Sequence, residues 1–90
     1  MLGQMAKDDF ENVFLAEEGQ DYARIRNGSL VGAVRGLASR GMIQCKAEAD
    51  VRVGDVLRSD LQNRSFLVED VSFEVVGSIR TCLEAHVSEV

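Results

Sequence analysis

The stretch FLVEDVSFEVVGSIRTCLEAHV, residues 66–87, contains the longest alternation of apolar and polar residues in the chain. A period of two is typical of half-buried β-strands. From residue 79 onward the alternation predicts one strand with a largely apolar face and an opposite polar face. The apolar face comprises Ile79, Thr81, Leu83, Ala85 and Val87, and the polar face comprises Arg80, Cys82, Glu84, His86 and Ser88.

The first half of this stretch needs one irregularity to keep its apolar residues together. Residues 71–75 are apolar at the odd positions, but Phe66 and Val68 have the opposite parity. We predict a β-bulge near Glu69 and Asp70, because one extra residue there brings both sets onto one face.

The turn between the two strands is constrained by the same parity. A two-residue loop would set Phe73 opposite Cys82, on the polar face. A three-residue loop over residues 76–78 instead sets Val75 against Ile79 and keeps the apolar residues together. We therefore predict the three-residue loop.

Several shorter strands are predicted upstream. Asn27-Gly28 is the strongest hairpin signal, because a type I′ turn needs positive φ at both central residues. Residues 29–38 also fit a helix, but Gly32 and Gly36 would each destabilise it by about 1 kcal/mol relative to alanine, so we predict a strand. Other predicted features are strands at residues 22–26 and 42–47, a turn at Arg40-Gly41, and a strand that follows a Gly-Asp turn at residues 54–55.

The N-terminal region predicts one short helix. Asp8 suits the N-cap and Glu11 the capping box, and Gly19 suits the end of the helix. Apolar residues recur at helical spacing at Phe10 and Phe14. The helix should cover about residues 9–17 and should dock on its own sheet, with docking on another subunit as the alternative.

These signals predict a mainly β fold, a small antiparallel β-barrel or sandwich of about six strands with one short N-terminal α-helix. Ninety residues make a single domain, 1–90. Within it we expect a flexible N-terminus at 1–7, the short helix at 8–18 and the β-domain at 21–88.

The net charge of −5 is unevenly distributed. Residues 1–21 carry six acidic residues and one basic residue, whereas residues 22–46 carry five basic residues and no acidic one. Solvated faces and protected strand edges explain this pattern most simply. The alternative is an acidic surface on one subunit that meets a basic surface on its neighbour. Nucleic-acid binding is disfavoured, because five basic residues dispersed over residues 22–46 make a poor track for phosphates.

Motifs for familiar chemistry do not occur in this sequence. There is neither a phosphate-binding GxxxxGK[ST] loop nor a dinucleotide-binding GxGxxG motif. Cys45 and Cys82 are far apart, which favours free thiols in a reducing compartment over a zinc site. His86 is the only histidine, so any Cys-His or Ser-His-Asp site would have to use it. We predict no enzyme activity, no catalytic, cofactor-binding or metal-binding residues, no cofactor, no membrane partner and a cytoplasmic location.

Four segments resemble the small head–tail connector proteins of tailed bacteriophages and prophages, of the head-closure or joining class. They are the acidic segment DDFENVF (8–14), the hairpin opening YARIR (22–26), VGDVL (53–57) and FLVEDV (66–71). The resemblance implies a virion structural protein that forms a ring between the portal and the tail. It implies no catalytic residues.

Together with the charge pattern, the resemblance leads to a hypothesis about subunit contacts. The acidic segment of one subunit would meet the basic hairpin of a neighbour in a homo-oligomer that also contacts other phage structural proteins. The predicted interface residues are Phe10, Phe14, Glu17, Asp21, Arg24, Arg26 and Arg35. The alternative is a small cytoplasmic protein-binding module encoded by a prophage. Either form would be made in the bacterial cytoplasm, and the connector would end in the virion.

Overall fold

The computed structural model describes residues 2–90, which form a long helix followed by six β-strands. The helix consists of α1 (Leu2–Asp9), a π-helical segment (Phe10–Leu15) and a last turn, α2 (Ala16–Glu18). We call residues 2–18 the N-terminal helix. The strands are β1 (Gln20–Arg26), β2 (Ser29–Ser39), β3 (Met42–Cys45), β4 (Val56–Ser59), β5 (Arg64–Val76) and β6 (Ile79–Glu89).

The strands form a closed antiparallel barrel in the order β1-β2-β3-β6-β5-β4. Pairing of β3 with β6 and of β1 with β4 closes the barrel. Closure gives each of the six strands in residues 2–90 two hydrogen-bonded neighbours, so none of the six is a free sheet edge. The predicted fold class is confirmed, and of the two predicted architectures the barrel is the one that forms.

The two predicted glycine turns in the first half of the barrel are confirmed. Asn27 and Gly28 have φ values of 53° and 78° and join β1 to β2 as a two-residue turn. Arg40-Gly41 joins β2 to β3 in the same way. Residues 29–38 form a strand, as predicted, because both of their neighbours supply ladder hydrogen bonds.

The long β5–β6 hairpin contains the predicted bulge. Val68 pairs with Val87 and Asp70 pairs with His86, which leaves Glu69 as the extra residue on β5. The bulge therefore places Phe66 and Val68 on the same face of β5 as Val71 and Phe73.

The predicted three-residue loop of this hairpin is wrong. Val76 pairs directly with Ile79 across Gly77-Ser78, and Gly77 has a φ of 64°, as the first central residue of a type II′ turn requires. The two-residue turn is possible because a second register shift follows it.

That second shift lies on β6. Val75 pairs with Arg80 and Glu74 pairs with Cys82, so Thr81 is the extra residue. Beyond this bulge Phe73 lies opposite Leu83, and the apolar residues meet after all. The bulge thus does what a third loop residue was predicted to do.

The interior of the barrel is small and well filled. Cys45 is fully buried there, as predicted. Gly36 lies where the Tyr22 ring and Ile43 converge, and a Cβ on it would come within 2.5 Å of Ile43 Cγ2. The absence of a side chain at this position therefore allows close packing. The core comprises Tyr22, Ile43, Cys45, Val51, Leu57, Val68, Leu83 and Ala85.

The helix begins at Leu2, so the predicted start near Asp9 is wrong. Residues 2–7, predicted to be flexible, are helical, and Met1 lies outside the described residues. The reason is tertiary packing, since the buried Gly3 lies against the hairpin tip, where a Cβ would meet Val76 O at 2.4 Å. Lys7 adds an ion pair to Glu48 at 2.8 Å. The helix docks on its own barrel, as expected.

Candidate functional site

Arg26, predicted to contact a neighbouring subunit, is engaged inside its own chain. Its Nε and Nη2 donate to the two carboxylate oxygens of Asp55, each at 2.9 Å. Asp55 is 1% exposed and also accepts from the backbone N–H of Arg52. The Arg26 guanidinium lowers the pKa of Asp55, and this carboxylate in turn raises the pKa of Arg26. The pair connects β1 to the loop before β4, so its role is structural.

Arg24 and Arg35 also have partners within the chain. Arg24 Nη1 donates to the backbone oxygen of Asp50 at 2.7 Å. Arg35 donates to the carbonyl oxygens of Leu15 and Ala16, both at 3.0 Å. These carbonyls belong to the last turns of the helix, so Arg35 caps its C-terminal end.

The acidic half of the predicted interface is on the surface. Asp21 lies 3.4 Å from Arg35 of its own chain, so these two residues pair within one subunit, whereas the prediction pairs them across two. Glu17 is exposed in the last turn of the helix. Phe10 is partly buried and Phe14 is half exposed. The structure thus brings Asp21 and Arg35 together and leaves Phe14 accessible, whereas Phe10 is partly buried.

Large apolar side chains are exposed along the N-terminal helix. Leu2 and Val13 are eleven residues apart, about three helical turns, and Met5 lies one turn from Leu2, so the three share one side. Phe14 is next to them and is 50% exposed. We call this set the helix face; it comprises Leu2, Met5, Val13 and Phe14.

A second exposed apolar surface lies beside β1 and β2. It is an open groove of about 570 Å³ between the β1–β2 hairpin and the turn after β4. Leu61, which is 86% exposed, and Leu30 are its exposed large apolar side chains, and the ion pair of Arg58 and Asp60 also lines it. We call this surface the strand groove; its apolar lining comprises Ala23, Leu30, Ala33 and Leu61. No sequence pattern indicates this groove, because Leu30 and Leu61 are isolated apolar residues next to turns.

The outer face of the β5–β6 hairpin carries the only histidine. His86 Nε2 lies 2.7 Å from Ser72 Oγ, and Ser72 Oγ also donates to Glu84 at 3.3 Å. Within residues 2–90, no carboxylate bonds to the other ring nitrogen of His86. A serine–histidine contact of this kind lacks the third group that orients the base in a nucleophilic triad.

The two thiols lie on opposite faces of the barrel wall. Cys45 faces the core, and burial raises its pKa to about 12. Cys82 faces outward beside Glu74 and is only 2% exposed. Burial, followed by the charges of Glu74 and Glu84, raises the pKa of Cys82. Both thiols are protonated at neutral pH, which does not favour a nucleophilic role.

None of the helices within residues 2–90 has the length and apolarity needed to cross a bilayer. Comparison with known proteins adds no relative: no family model, no curated protein and no solved structure matches this chain.

Proposed function

We propose that this protein is a non-enzymatic structural protein that assembles with copies of itself into a ring, as head–tail connectors do between the portal and the tail of a phage. The proposal joins the resemblance of four sequence segments to the surfaces of the barrel. Its oligomeric part can be tested on the purified chain.

The observation that carries the proposal is the presence of two separate exposed apolar surfaces, the helix face and the strand groove. A head-to-tail contact needs two different surfaces on each subunit, and repetition of such a contact closes a ring when the rotation per subunit permits. Exposed apolar side chains that lie together in one patch often mark a binding surface, and each of these two surfaces groups several of them. We therefore infer that the helix face of one subunit docks in the strand groove of the next.

The hydrogen bonds that the three predicted interface arginines make within their own chain change the expected chemistry of the contact between subunits. Arg24, Arg26 and Arg35 already bond within their own chain, so they contribute little to attracting a neighbour. Burial of a leucine or phenylalanine side chain stabilises a contact by about 1.5–3 kcal/mol. Association should accordingly depend more on Phe14 and Leu61 than on the arginines.

Sedimentation or light scattering over a range of protein concentrations tests the proposal. The wild type should form species larger than its 9.9 kDa monomer. Phe14→Ser and Leu61→Ser should each weaken association roughly 10- to 100-fold. Val53→Ser is the matched control, because Val53 is 62% exposed in the turn before β4 and belongs to neither surface.

Mixing the two variants tests the head-to-tail geometry. Phe14→Ser keeps an intact strand groove and Leu61→Ser keeps an intact helix face, so an equimolar mixture should form one heterodimer and nothing larger. A wild type that stays monomeric at every concentration would refute the ring and favour the protein-binding module. The position in a virion is checked separately, by whether the gene lies among portal, capsid and tail genes.

A further inference from the structure

The outer face of the barrel wall where β3, β6 and β5 meet carries a compact set of metal-binding side chains. Glu74 on β5 lies directly opposite Cys82 on β6, and Glu84 follows two residues later on the same face of β6. Gln44 on β3 flanks Glu84 from the other side. One carboxylate oxygen of each glutamate and the sulfur of Cys82 all lie within 4.8 Å of one another.

We propose that Glu74, Cys82 and Glu84 form a binding site for a divalent transition-metal ion, with zinc as the ion that this ligand set fits best. Zinc accepts thiolate sulfur at about 2.3 Å and carboxylate oxygen at about 2.0–2.2 Å. In a tetrahedral site these lengths put sulfur and oxygen about 3.5 Å apart. The ligand atoms would have to approach by roughly 1 Å, which rotation of the exposed Glu74 side chain provides.

The charge of the cluster is the second observation that points to a cation. Within residues 2–90, eight ion pairs bind acidic side chains to lysine or arginine, and none of them involves Glu74 or Glu84. The nearest arginine along β6, Arg80, instead stacks on the Phe73 ring, with its Cζ 4.2 Å from the ring centroid. Two carboxylates beside a buried thiol are therefore left without a protein cation.

Neighbouring polar groups orient the proposed ligands. Ser72 Oγ lies 3.3 Å from a carboxylate oxygen of Glu84 and 2.7 Å from His86 Nε2. Gln44 Nε2 lies 3.9 Å from Cys82 Sγ and donates to it. Such bonds fix the direction of ligand oxygens and sulfurs in metal sites. The Gln44 side chain also fills the side of the site that faces β3.

Metal binding would replace the proton of the Cys82 thiol. The proton leaves to solvent, the sulfur lone pair forms the bond to the metal, and no electron is transferred. Burial and the two glutamates raise the pKa of this thiol in the metal-free protein. A divalent ion would compensate those same charges, which is why the cluster suits a cation better than it suits a nucleophile.

Titration of the full chain with zinc by calorimetry, and with cobalt by absorption, tests the site. We expect one ion per chain and, for cobalt, the near-ultraviolet charge-transfer band of a sulfur ligand. Cys82→Ser should abolish that band, and Glu74→Gln and Glu84→Gln should each weaken zinc binding at least tenfold. Glu69→Gln is the matched control, since Glu69 is exposed on the same strand and lies outside the cluster.

The exposed position of Glu74 guards against a loss of folding, because Glu74→Gln removes a ligand without disturbing the core. Zinc should also slow alkylation of Cys82 in the wild type but not in Glu74→Gln. Absence of zinc binding by the folded wild type would overturn the proposal. So would binding that Cys82→Ser and Glu74→Gln leave unchanged. The readouts do not depend on ring assembly, because they are made equally well on a monomer.

Discussion

Two acidic groups of this small barrel, the Asp55 carboxylate and the pair Glu74 and Glu84, differ in whether the chain itself neutralises their charge. At the junction of β1 and β4, the buried Asp55 accepts two hydrogen bonds from Arg26 and one from the backbone of Arg52. On the outer face of β5 and β6, Glu74 and Glu84 share the surroundings of Cys82 with no arginine or lysine paired to them within residues 2–90. The first group is neutralised by the chain itself and the second is not.

The difference separates a structural role from a binding role. A buried carboxylate is tolerated only when it is paired and hydrogen-bonded, and Asp55 meets both conditions. The glutamates of the hairpin keep access to water, so the chain folds without neutralising them. What they lack in protein partners they can obtain from a cation in solution. Loss of the Asp55 charge should therefore destabilise the folded protein, whereas loss of the charge of Glu74 or Glu84 should not.

The largest expected effect is that of Asp55→Asn. The substitution removes the charge that holds Arg26, and it places an amide donor where Arg26 and Arg52 also donate. We expect the free energy of unfolding to fall by about 3 kcal/mol. Urea denaturation followed by circular dichroism measures it. Asp60→Asn is the matched control, because Asp60 pairs with Arg58 at the exposed surface and should change stability by less than about 1 kcal/mol. An equal loss of unfolding free energy in Asp55→Asn and Asp60→Asn would show that the buried pair is no more important for stability than the exposed one.

Acidification should weaken the same pair progressively. Arg26 lowers the pKa of Asp55 below its ordinary value of 3.8, so the unfolded chain takes up this proton at a higher pH than the folded chain does. The stabilisation is complete above the ordinary value and is lost as the pH falls through the lowered pKa. The stability difference between wild type and Asp55→Asn should hence be constant near neutrality and shrink below about pH 4. A difference that does not depend on pH would show that the substitution acts through packing alone.

Much of the barrel is predictable because its signals are local. Asn27-Gly28 fixes a hairpin through backbone conformation, and the change of parity before Val71 requires a bulge. The prediction of the loop in the long hairpin is wrong because no sequence pattern indicates the bulge at Thr81. A serine that follows Gly77 does suit a type II′ turn, but the parity of the flanking strands favours a three-residue loop. The early helix start depends on packing against the hairpin tip, which no capping residue indicates.

The cluster of Glu74, Cys82 and Glu84 is not predicted either, because the expected register of the hairpin differs from the observed one. The predicted three-residue loop sets Val75 against Ile79 and, by extension, Glu74 against Arg80, where the two charges would compensate each other. In the structure the bulge moves Glu74 opposite Cys82, and Arg80 moves to the side of Phe73. The partner of Arg26 was equally out of reach, because Asp55 lies 29 residues away and approaches only when the barrel closes.

The smallest expected effect is that of Glu74→Gln, and it has the opposite sign to that of Asp55→Asn. Without metal, removing one of two neighbouring negative charges should raise the free energy of unfolding by a few tenths of a kcal/mol. With excess zinc the order should reverse, because a ligand that binds only the folded state stabilises it and the variant binds less. Thermal unfolding of both proteins with zinc and with a chelator measures this crossing, and Glu69→Gln should follow the wild type in both conditions. A substitution that destabilises the metal-free protein would mean that Glu74 already has a structural partner, and the two acidic groups would then differ only in exposure.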